Sequence, residues 1–323
     1  MANVIRLKAP GGADQLENAT IELPLPKDGE IRIRQTAIGV NFIDVYQRMG
    51  LYPLPPPAIP GVEAVGVVTA VGADVTLPRV GDRVAYAGAP VGAYVSERNL
   101  PAWRAVILPQ SIADDVVASV FVKGMTAYML LTRIYPVGRG TTVLIHSAAG
   151  GLGQLMTRWA RHLGATVIGT AGSDIKAAMA RDAGAHHVIV GREADFAGVV
   201  SDLTEARGVD VAYDGVGGTA LAKTLRCVRP FGVVASIGQS AGVIPPLDVE
   251  DLGPRRSLML ARPSVMAYIN KAEDYRTAAD AVLSAVQAGI LQSAGRAYRL
   301  SDAARAHAEL EGGRSSGSLY LVP

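Results

Sequence analysis

The sequence predicts an α/β protein in which a doubly wound, six-stranded parallel sheet is joined to an N-terminal antiparallel β-barrel. Three observations carry this expectation. The buried-strand pattern Thr141-Thr142-Val143-Leu144-Ile145 runs into a small-residue turn, His146-Ser147-Ala148-Ala149-Gly150-Gly151-Leu152-Gly153, and then into a helical period. Strand and helix patterns alternate from there to about residue 261, as in successive βαβ units. Residues 1 to about 110 instead show short alternating runs separated by Pro and Gly clusters, the pattern of a small barrel or sandwich.

The elements follow in order from the turn. Leu152, Leu155, Met156, Trp159, Ala160 and Leu163 recur at intervals of three and four, so a helix opens inside the turn with an apolar stripe toward the sheet. The spacing Ser147-x-x-Gly150-x-x-Gly153 is a variant of G-x-G-x-x-G, which a plain strand-to-helix turn can also produce. Glycines there permit a tight reversal, close approach of a pyrophosphate and close packing of helix on sheet. Ala149, Gly150, Gly151 and Leu152 are therefore the candidate phosphate cradle at the positive helix end. Beyond it the patterns predict a strand at 165–170, a helix at about 174–183, a strand at 187–190, a helix from about 195, a strand at 209–214, a helix from about 218, a strand at 231–238 and an apolar run at 257–261. Toward the N-terminus, Ile31–Ile38, Gly66–Gly72 and Arg83–Tyr86 read as strands, and Gly39–Pro53, rich in polar and aromatic residues, reads as a surface loop.

A length of 323 residues exceeds what one core usually organises, so two domains are expected. The 31 basic and 29 acidic residues are intermixed, which leaves no footprint for nucleic acid. Neither a signal-like start nor a run of about 18 apolar residues is visible, so a cytoplasmic, membrane-free protein is expected. The single cysteine, Cys227, excludes an internal disulfide and a Cys-based zinc site and reads as packing, with a catalytic thiol as the other reading. Histidines 146, 162, 186, 187 and 307 are not grouped as metal ligands, and no metal is predicted.

Cofactor choice is argued from the second strand, where sheets that bind NAD place an acid about 20 residues after the turn to accept from the ribose hydroxyls. Here the strand ends Ile168-Gly169-Thr170-Ala171-Gly172-Ser173 without one. Gly172 and Ser173 form a small uncharged pocket, and Lys176, one turn into the next helix, can meet a 2′-phosphate, so NADPH is favoured over NADH; a solvated helix lysine is the alternative. Asp174 suits the helix N-terminus better than the ribose. Because ligands lie at the carboxyl ends of such strands, Val216-Gly217 and Ile237-Gly238-Gln239 are placed along the cofactor.

Asn41-Phe42-Ile43-Asp44, Gly50-Leu51-Tyr52-Pro53, Lys123-Gly124-Met125-Thr126-Ala127-Tyr128, Ala148-Ala149-Gly150-Gly151, Gly238-Gln239-Ser240-Ala241-Gly242 and Arg262-Pro263-Ser264 occur in this order along most of the chain. The chain thereby resembles the zinc-free quinone oxidoreductase (zeta-crystallin-like) family of the medium-chain dehydrogenase/reductase superfamily. The resemblance implies a GroES-like catalytic domain, 1–123, completed by 262–323, and a Rossmann domain, 124–261. Zinc alcohol dehydrogenases of the superfamily carry Cys where this chain has Asn41 and His where it has Val62, and their loop of four structural cysteines is missing. Glu63 is then expected to be a paired structural acid beneath the active-site loop.

By the same resemblance Asn41, Tyr46, Lys123 and Thr126 line the nicotinamide side, and Arg262 approaches from the C-terminal segment. The plain alternatives are a turn residue for Asn41, half-buried aromatics for Tyr46 and Tyr52, a helix start for Thr126 and an interface charge for Arg262. Asn41 and Tyr46 are read as functional, and for Tyr52 both readings stand. Gly191 occupies the place of a family tyrosine that covers the adenosine; either the adjacent Arg192 substitutes as a phosphate partner or that contact is lost. Arg314 is a further candidate for the cofactor phosphate, just before a last strand, Ser318–Val322, that returns to the first domain.

The implied activity is NADPH-dependent reduction of a quinone in a cleft between the domains, with Asn41, Tyr46 and Tyr52 at the catalytic position. Reduction of the C=C bond of enals and enones is the alternative, and a non-enzymatic, crystallin-like or RNA-binding role is a third. The apolar edge Ser257-Leu258-Met259-Leu260-Ala261 predicts a homodimer, since pairing two copies removes a bare strand edge.

Overall fold

The computed structural model describes every residue except Arg255, Ala294 and Ser316. It divides into two compact units, Met1–Met125 with Met266–Pro323, and Thr126–Val265. In chain order the first opens with β1 (Ala2–Leu7), β2 (Leu16–Ile21), β3 (Glu30–Val40), α1 (Phe42–Arg48), β4 (Glu63–Val71), β5 (Arg83–Ala87), β6 (Glu97–Pro101), β7 (Val106–Ile107) and most of α2 (Asp114–Met129), whose last four residues, from Thr126, belong to the second. The second holds β8 (Thr142–Ile145), α3 (Gly151–His162), β9 (Thr166–Ala171), α4 (Asp174–Asp182), β10 (His187–Val190), α5 (Phe196–Leu203), β11 (Val209–Asp214), α6 (Ala220–Leu225), β12 (Val228–Ser236) and β13 (Met259–Ala261). The chain then adds α7 (Val265–Tyr268), α8 (Ala272–Gln287), β14 (Arg296–Arg299), α9 (Ala303–Glu311) and β15 (Leu319–Val322).

In the first unit the strand order is β14-β15-β3-β4-β5-β7, with β6 also on β3. The long β3 is the axis: Ile31 and Ile33 enter a core with Val68, Val84, Leu100, Leu319 and Leu321 as the period of two requires, and Ile38 joins the same core past a register shift between Gln35 and Ala37. The last strand pairs with it, Leu319 opposite Val40. The sheet is not wholly antiparallel, because β14 and β15 run parallel; α9 lies between them and supplies the crossover that a parallel pair needs.

The expected surface loop at 39–53 is mostly a buried helix. Asn41 caps α1: its backbone N–H donates to Asp44 Oδ2 at 2.9 Å, and its carbonyl accepts from Asp44 N–H at 3.1 Å. Asp44, Val45, Tyr46, Gln47 and Arg48 are all buried. Polar residues read as surface from sequence because their partners are distant in the chain. Arg48 is held by both oxygens of Glu311 at 2.6 and 2.7 Å and by the Gly11 carbonyl at 3.0 Å. A guanidinium only donates, so at 3.5 Å it sets His307 Nδ1 as acceptor, and His307 Nε2 then donates to the Tyr94 hydroxyl at 2.8 Å. Tyr94 in turn donates to Asp44 Oδ2 at 3.1 Å.

The second unit is a parallel sheet in the order β10-β9-β8-β11-β12-β13. Its order reverses between β8 and β11, which is where such sheets bind ligands. The predicted strand at 231–238 lies at 228–236, its last pair being Ser236 with Asp214, after which the Ile237 N–H donates to the Asp214 carbonyl at 2.7 Å. The run 257–261 contributes only the three-residue edge β13, whose Met259 and Leu260 are 52% and 37% exposed. Cys227 packs in the core of this unit with Leu221, Leu225 and Val228, and burial pushes its thiol up to about 12, which removes the catalytic-thiol reading.

The tight reversal after β8 is made by Ser147, at φ +52°, rather than by a glycine. Gly150 is the N-cap of α3 in extended conformation. Gly153 provides the close packing: a Cβ there would collide with the Ser147 carbonyl oxygen and stand 2.8 Å from Ala148 Cα. One helical stretch, Asp114–Ile134, is apolar enough by mean composition to cross a membrane, although charged residues interrupt it; 67% of its apolar window is buried in the protein.

The cap of α1 has a pH signature. Burial raises the Asp44 carboxyl from 3.8 to about 7, the nearby Glu63 charge adds to the rise, and the bonds from Asn41 and Tyr94 oppose it. Its Oδ1 has no hydrogen-bond partner among the described residues, which suits the neutral acid. The unfolded chain ionises this group near 3.8, so the stability it contributes is complete below that pH and is lost as pH rises through about 7. Chemical denaturation at pH 5 and pH 8 is predicted to show wild-type stability falling by about 2 to 3 kcal/mol more than that of Asp44→Asn; parallel falls would contradict it.

Candidate cofactor and substrate site

In the second unit the glycine turn sets Gly150 as cap and Gly151 and Leu152 as the first helical residues of α3. Ala149, beside them, is buried, and its carbonyl accepts from Gln154 Nε2 at 2.7 Å. The Gly150 N–H is taken by the Ser147 carbonyl at 2.8 Å, whereas first-turn N–H groups have no intrahelical partner, so Gly151 and Leu152 are the candidate anion donors of this corner, with Ala149 and Gly150 as its backbone wall.

A second corner forms where β9 meets α4. Ser173 caps α4, its Oγ accepting from Lys176 N–H at 3.4 Å, and Asp174 sits in the first helical turn, as expected for an acid at the positive helix end. Gly191, at φ +113°, turns the chain after β10. Arg192 then lies against Gly172, where a Cβ would stand 3.6 Å from its Cγ. Burial, and next the Arg192 charge, lower the pKa of Lys176. Gly172, Ser173, Lys176 and Arg192 are thus one cluster with two neighbouring cations.

The third corner joins the ends of β11 and β12. Asp214 Oδ1 accepts from the N–H groups of Val216 and Gly217, each at 2.9 Å. The Val216 carbonyl accepts from Ala241 N–H at 2.9 Å, and the Gly215 carbonyl from Ser240 N–H at 3.2 Å. Val216, Ile237 and Gln239 are therefore on two loops laced together. Arg262 donates to Ser236 Oγ at 2.6 Å; it belongs to this unit and not to the returning C-terminal segment.

In the first unit Glu63, fully buried, organises the site residues. Its Oε1 accepts from Asn41 Nδ2 at 2.8 Å and faces Lys123 Nζ at 3.8 Å, while its Oε2 accepts from Val122 N–H at 2.8 Å. Gly39 leaves the space, since a Cβ there would collide with Glu63 Oε1. Lys123 Nζ also donates to the Val40 carbonyl at 3.2 Å. Burial raises the Glu63 pKa, with Lys123 and Asn41 opposing, and burial lowers that of Lys123, with Glu63 opposing. Glu63 is thus the paired acid expected from sequence. Asn41 is held by a buried carboxylate, which removes the reading of it as a simple turn residue.

Tyr46 is buried, edge-on to Tyr52 with ring centroids 5.3 Å apart and tilted on Phe42 at 6.0 Å. The N–H groups of Leu51 and Tyr52 donate to the Tyr46 carbonyl at 2.8 and 3.2 Å, which folds the Tyr52 ring back onto Tyr46. Thr126 lies near the end of α2, which begins at Asp114, so it is not a helix start. Arg314 is exposed in the first unit and donates to the Ala308 carbonyl of α9 at 3.4 Å; Lys176 and Arg192 belong to the second.

Among the described residues no group of three or more His, Cys, Asp and Glu is placed to hold a metal. Val62 is buried in the core and Asn41 is bonded to Glu63, so these residues do not fit a catalytic zinc. Sequence reading missed His146, Thr170, Asp214 and Thr224, whose side chains are linked behind the second unit's corners. The one available signal was an acid ending a strand ahead of Gly-Val-Gly-Gly at 215–218.

Comparison with known proteins agrees with this architecture. Residues 27–109 match the alcohol dehydrogenase GroES-like domain and residues 151–284 the zinc-binding dehydrogenase family. The chain is 44% identical to a 2-haloacrylate reductase from a Burkholderia species, covering 100% of this chain and 99% of that protein. It is 38% identical to quinone oxidoreductase 1 of Escherichia coli over 100% of both. The crystal structure of the Escherichia coli quinone oxidoreductase complexed with NADPH superposes with a TM-score of 0.96 at 37% identity over 100% of both chains. Full-length similarity at this level, with Asn41 and Val62 where zinc ligands would stand, shows that the chain belongs to the zinc-free quinone oxidoreductase family of the medium-chain dehydrogenase/reductase superfamily.

Proposed function

We propose that the protein is an NADPH-dependent reductase of quinones. The observation that carries the cofactor choice is the pair Lys176 and Arg192 beside Gly172 and Ser173, with no acid at the tip of β9. Neighbouring cations repel; a 2′-phosphate placed there converts the repulsion into two charge-assisted contacts, whereas a ribose hydroxyl supplies no compensating charge. This favours substitution by Arg192 over a lost contact at Gly191. NADPH bound in this frame supplies a hydride from its nicotinamide ring. The first turn of α3 receives the pyrophosphate, and Val216, Ile237, Gln239 and Arg262 line the remainder of its length.

Asn41, fixed by Glu63, and Lys123 and Thr126 on α2 are the holders of the nicotinamide side. Tyr46 and Tyr52, packed ring to ring, are the hydroxyl donors for the oxygens of the reduced quinone. A quinone is already electrophilic, so positioning and exclusion of water are the main catalytic contributions required of the protein. Alcohol oxidation would need a group to take the hydroxyl proton, and neither Asn41 nor Tyr46 is a ready base at neutral pH. Arg314 is retained as a further phosphate partner and the cytoplasm as the location, both on the sequence argument.

A second reading, reduction of an activated C=C bond, is favoured by the 2-haloacrylate reductase relative at 44% identity. Both reactions place a flat electrophile against the hydride donor. A homodimer belongs to the same proposal: β13 is an exposed apolar edge, and two-fold pairing covers it.

Three outcomes are expected. Lys176→Ala and Arg192→Ala should each weaken NADPH binding by about 1 to 3 kcal/mol with NADH nearly unchanged, and equal losses for both cofactors would mean the helix had been damaged instead. In a turnover panel, quinones should be reduced with NADPH while ethanol and benzyl alcohol are left untouched, with kcat falling modestly in Tyr46→Phe. A haloacrylate or enone preferred far above every quinone would install the second reading, and fast alcohol turnover would remove both. Light scattering at micromolar concentration should report a dimer; a monomer contradicts the edge pairing.

A further inference from the structure

A line of hydrogen bonds, exposed at Ser147 and buried from His146 onward, runs behind the second unit's corners and takes no part in the proposed chemistry. Ser147 N–H donates to Thr170 Oγ1 at 3.2 Å, and Thr170 Oγ1 lies 3.1 Å from His146 Nδ1. His146 Nε2 is 2.9 Å from Thr224 Oγ1, which is 2.8 Å from Asp214 Oδ2. The other carboxylate oxygen holds the N–H groups of Val216 and Gly217. Asp214, His146 and Thr224 are all buried.

The direction of this line can be deduced. The Thr224 hydroxyl has one hydrogen and two acceptors in reach, Asp214 Oδ2 at 2.8 Å and the Ala220 carbonyl at 3.0 Å; the bond to the carboxylate is the shorter and stronger. Thr224 must then accept from His146 Nε2–H. With a neutral imidazole, Nδ1 accepts from the Thr170 hydroxyl, which is free to donate because its oxygen already accepts from Ser147 N–H. Around the imidazole, β9 presents Thr170, α6 presents Thr224, α5 presents the edge-on ring of Phe196 at 4.8 Å, and β11 presents Asp214 behind Thr224. Burial lowers the pKa of His146, with Asp214 opposing, which keeps the ring neutral.

One end of the line is the left-handed Ser147 at the head of the glycine turn; the other is the loop at 216–217. We propose that His146 is a positioning residue that sets the phosphate turn and the 216–217 loop relative to each other and thereby tunes binding of the whole dinucleotide. The proposal rests on the assignment of NADPH as cofactor. His146 is bonded to Thr170 and Thr224 and acts through them on Ser147 and Asp214, whereas Lys176 and Arg192 supply the cations of the 2′-phosphate cluster. Its loss is therefore felt equally by NADPH and NADH, unlike that of Lys176 or Arg192.

The test measures dissociation constants for NADPH and NADH by direct fluorescence titration, with no turnover needed. His146→Leu is expected to weaken both about tenfold or more, in parallel, while His146→Gln, whose amide provides one donor and one acceptor, restores most of the affinity. Thr224→Val should weaken both on its own and add nothing in the His146→Leu background. The imidazole ¹⁵N shifts of the wild type should report the Nε2-protonated tautomer, and Thr224→Val should move them. Should His146→Leu not fold, the Thr224→Val titration and the tautomer decide alone. Affinities within twofold of wild type in folded Thr224→Val, a selective loss of NADPH, or an Nδ1-protonated ring would each overturn the proposal. A wild type that binds neither nucleotide would overturn the cofactor assignment, and this inference with it.

Discussion

Helix α3 can start where it does only because nothing projects from Gly153 toward the Ser147 carbonyl. Any side chain at that position meets backbone rather than a flexible neighbour, so the helix would have to lift from the sheet. The site in the second unit depends on that close approach. It brings the first turn of α3 to the carboxyl end of β8, beside the reversal of strand order, so that free N–H groups and a positive helix end lie where a dinucleotide is held. The cost appears at Ser147, a non-glycine residue in the left-handed region, and its N–H is secured by Thr170.

In the first unit the corresponding constraint is electrostatic. Glu63 and Asp44 are both buried carboxylates: Asp44 lies on α1, which Asn41 caps and which carries Tyr46, and Glu63 opens β4 and holds the Asn41 side chain. A buried charge is tolerated only when paired and hydrogen-bonded. Glu63 meets this with Lys123, Asn41 and the Val122 N–H. Asp44 meets it by being raised toward neutrality, with Tyr94 and the Asn41 N–H bonded to one oxygen only. The same groups that satisfy these carboxylates fix the side chains proposed to face the nicotinamide, so the rigidity of that surface follows from the requirements of burial.

What the sequence revealed, and what it hid, follows from distance along the chain. The turn at 147–153 and the alternation beyond it are local patterns of period and spacing, and the strands and helices of the second sheet lie within a few residues of where those patterns place them. The absence of an acid after β9 is equally local. Helix α1 was hidden because Arg48 and Asp44 look like surface residues until Glu311 and Tyr94, far along the chain, are brought to them. The parallel pair of β14 and β15 was hidden because parallel and antiparallel strands share one alternating pattern. The line through His146 joins positions 24 and 78 residues away, and no local pattern announces it. The unit to which Arg262 belongs is likewise set by its bond to Ser236.

The central claim is that the corner formed by Gly172, Ser173, Lys176 and Arg192 holds a phosphate on the adenosine ribose. Competition between bound NADPH and the fragments 2′,5′-ADP and 5′-AMP isolates that corner, because the two differ only in the 2′-phosphate. The account predicts that 2′,5′-ADP displaces NADPH at least about tenfold more tightly than 5′-AMP, the difference a charge-assisted contact of about 1.4 kcal/mol produces. Equal displacement by the two fragments would contradict it.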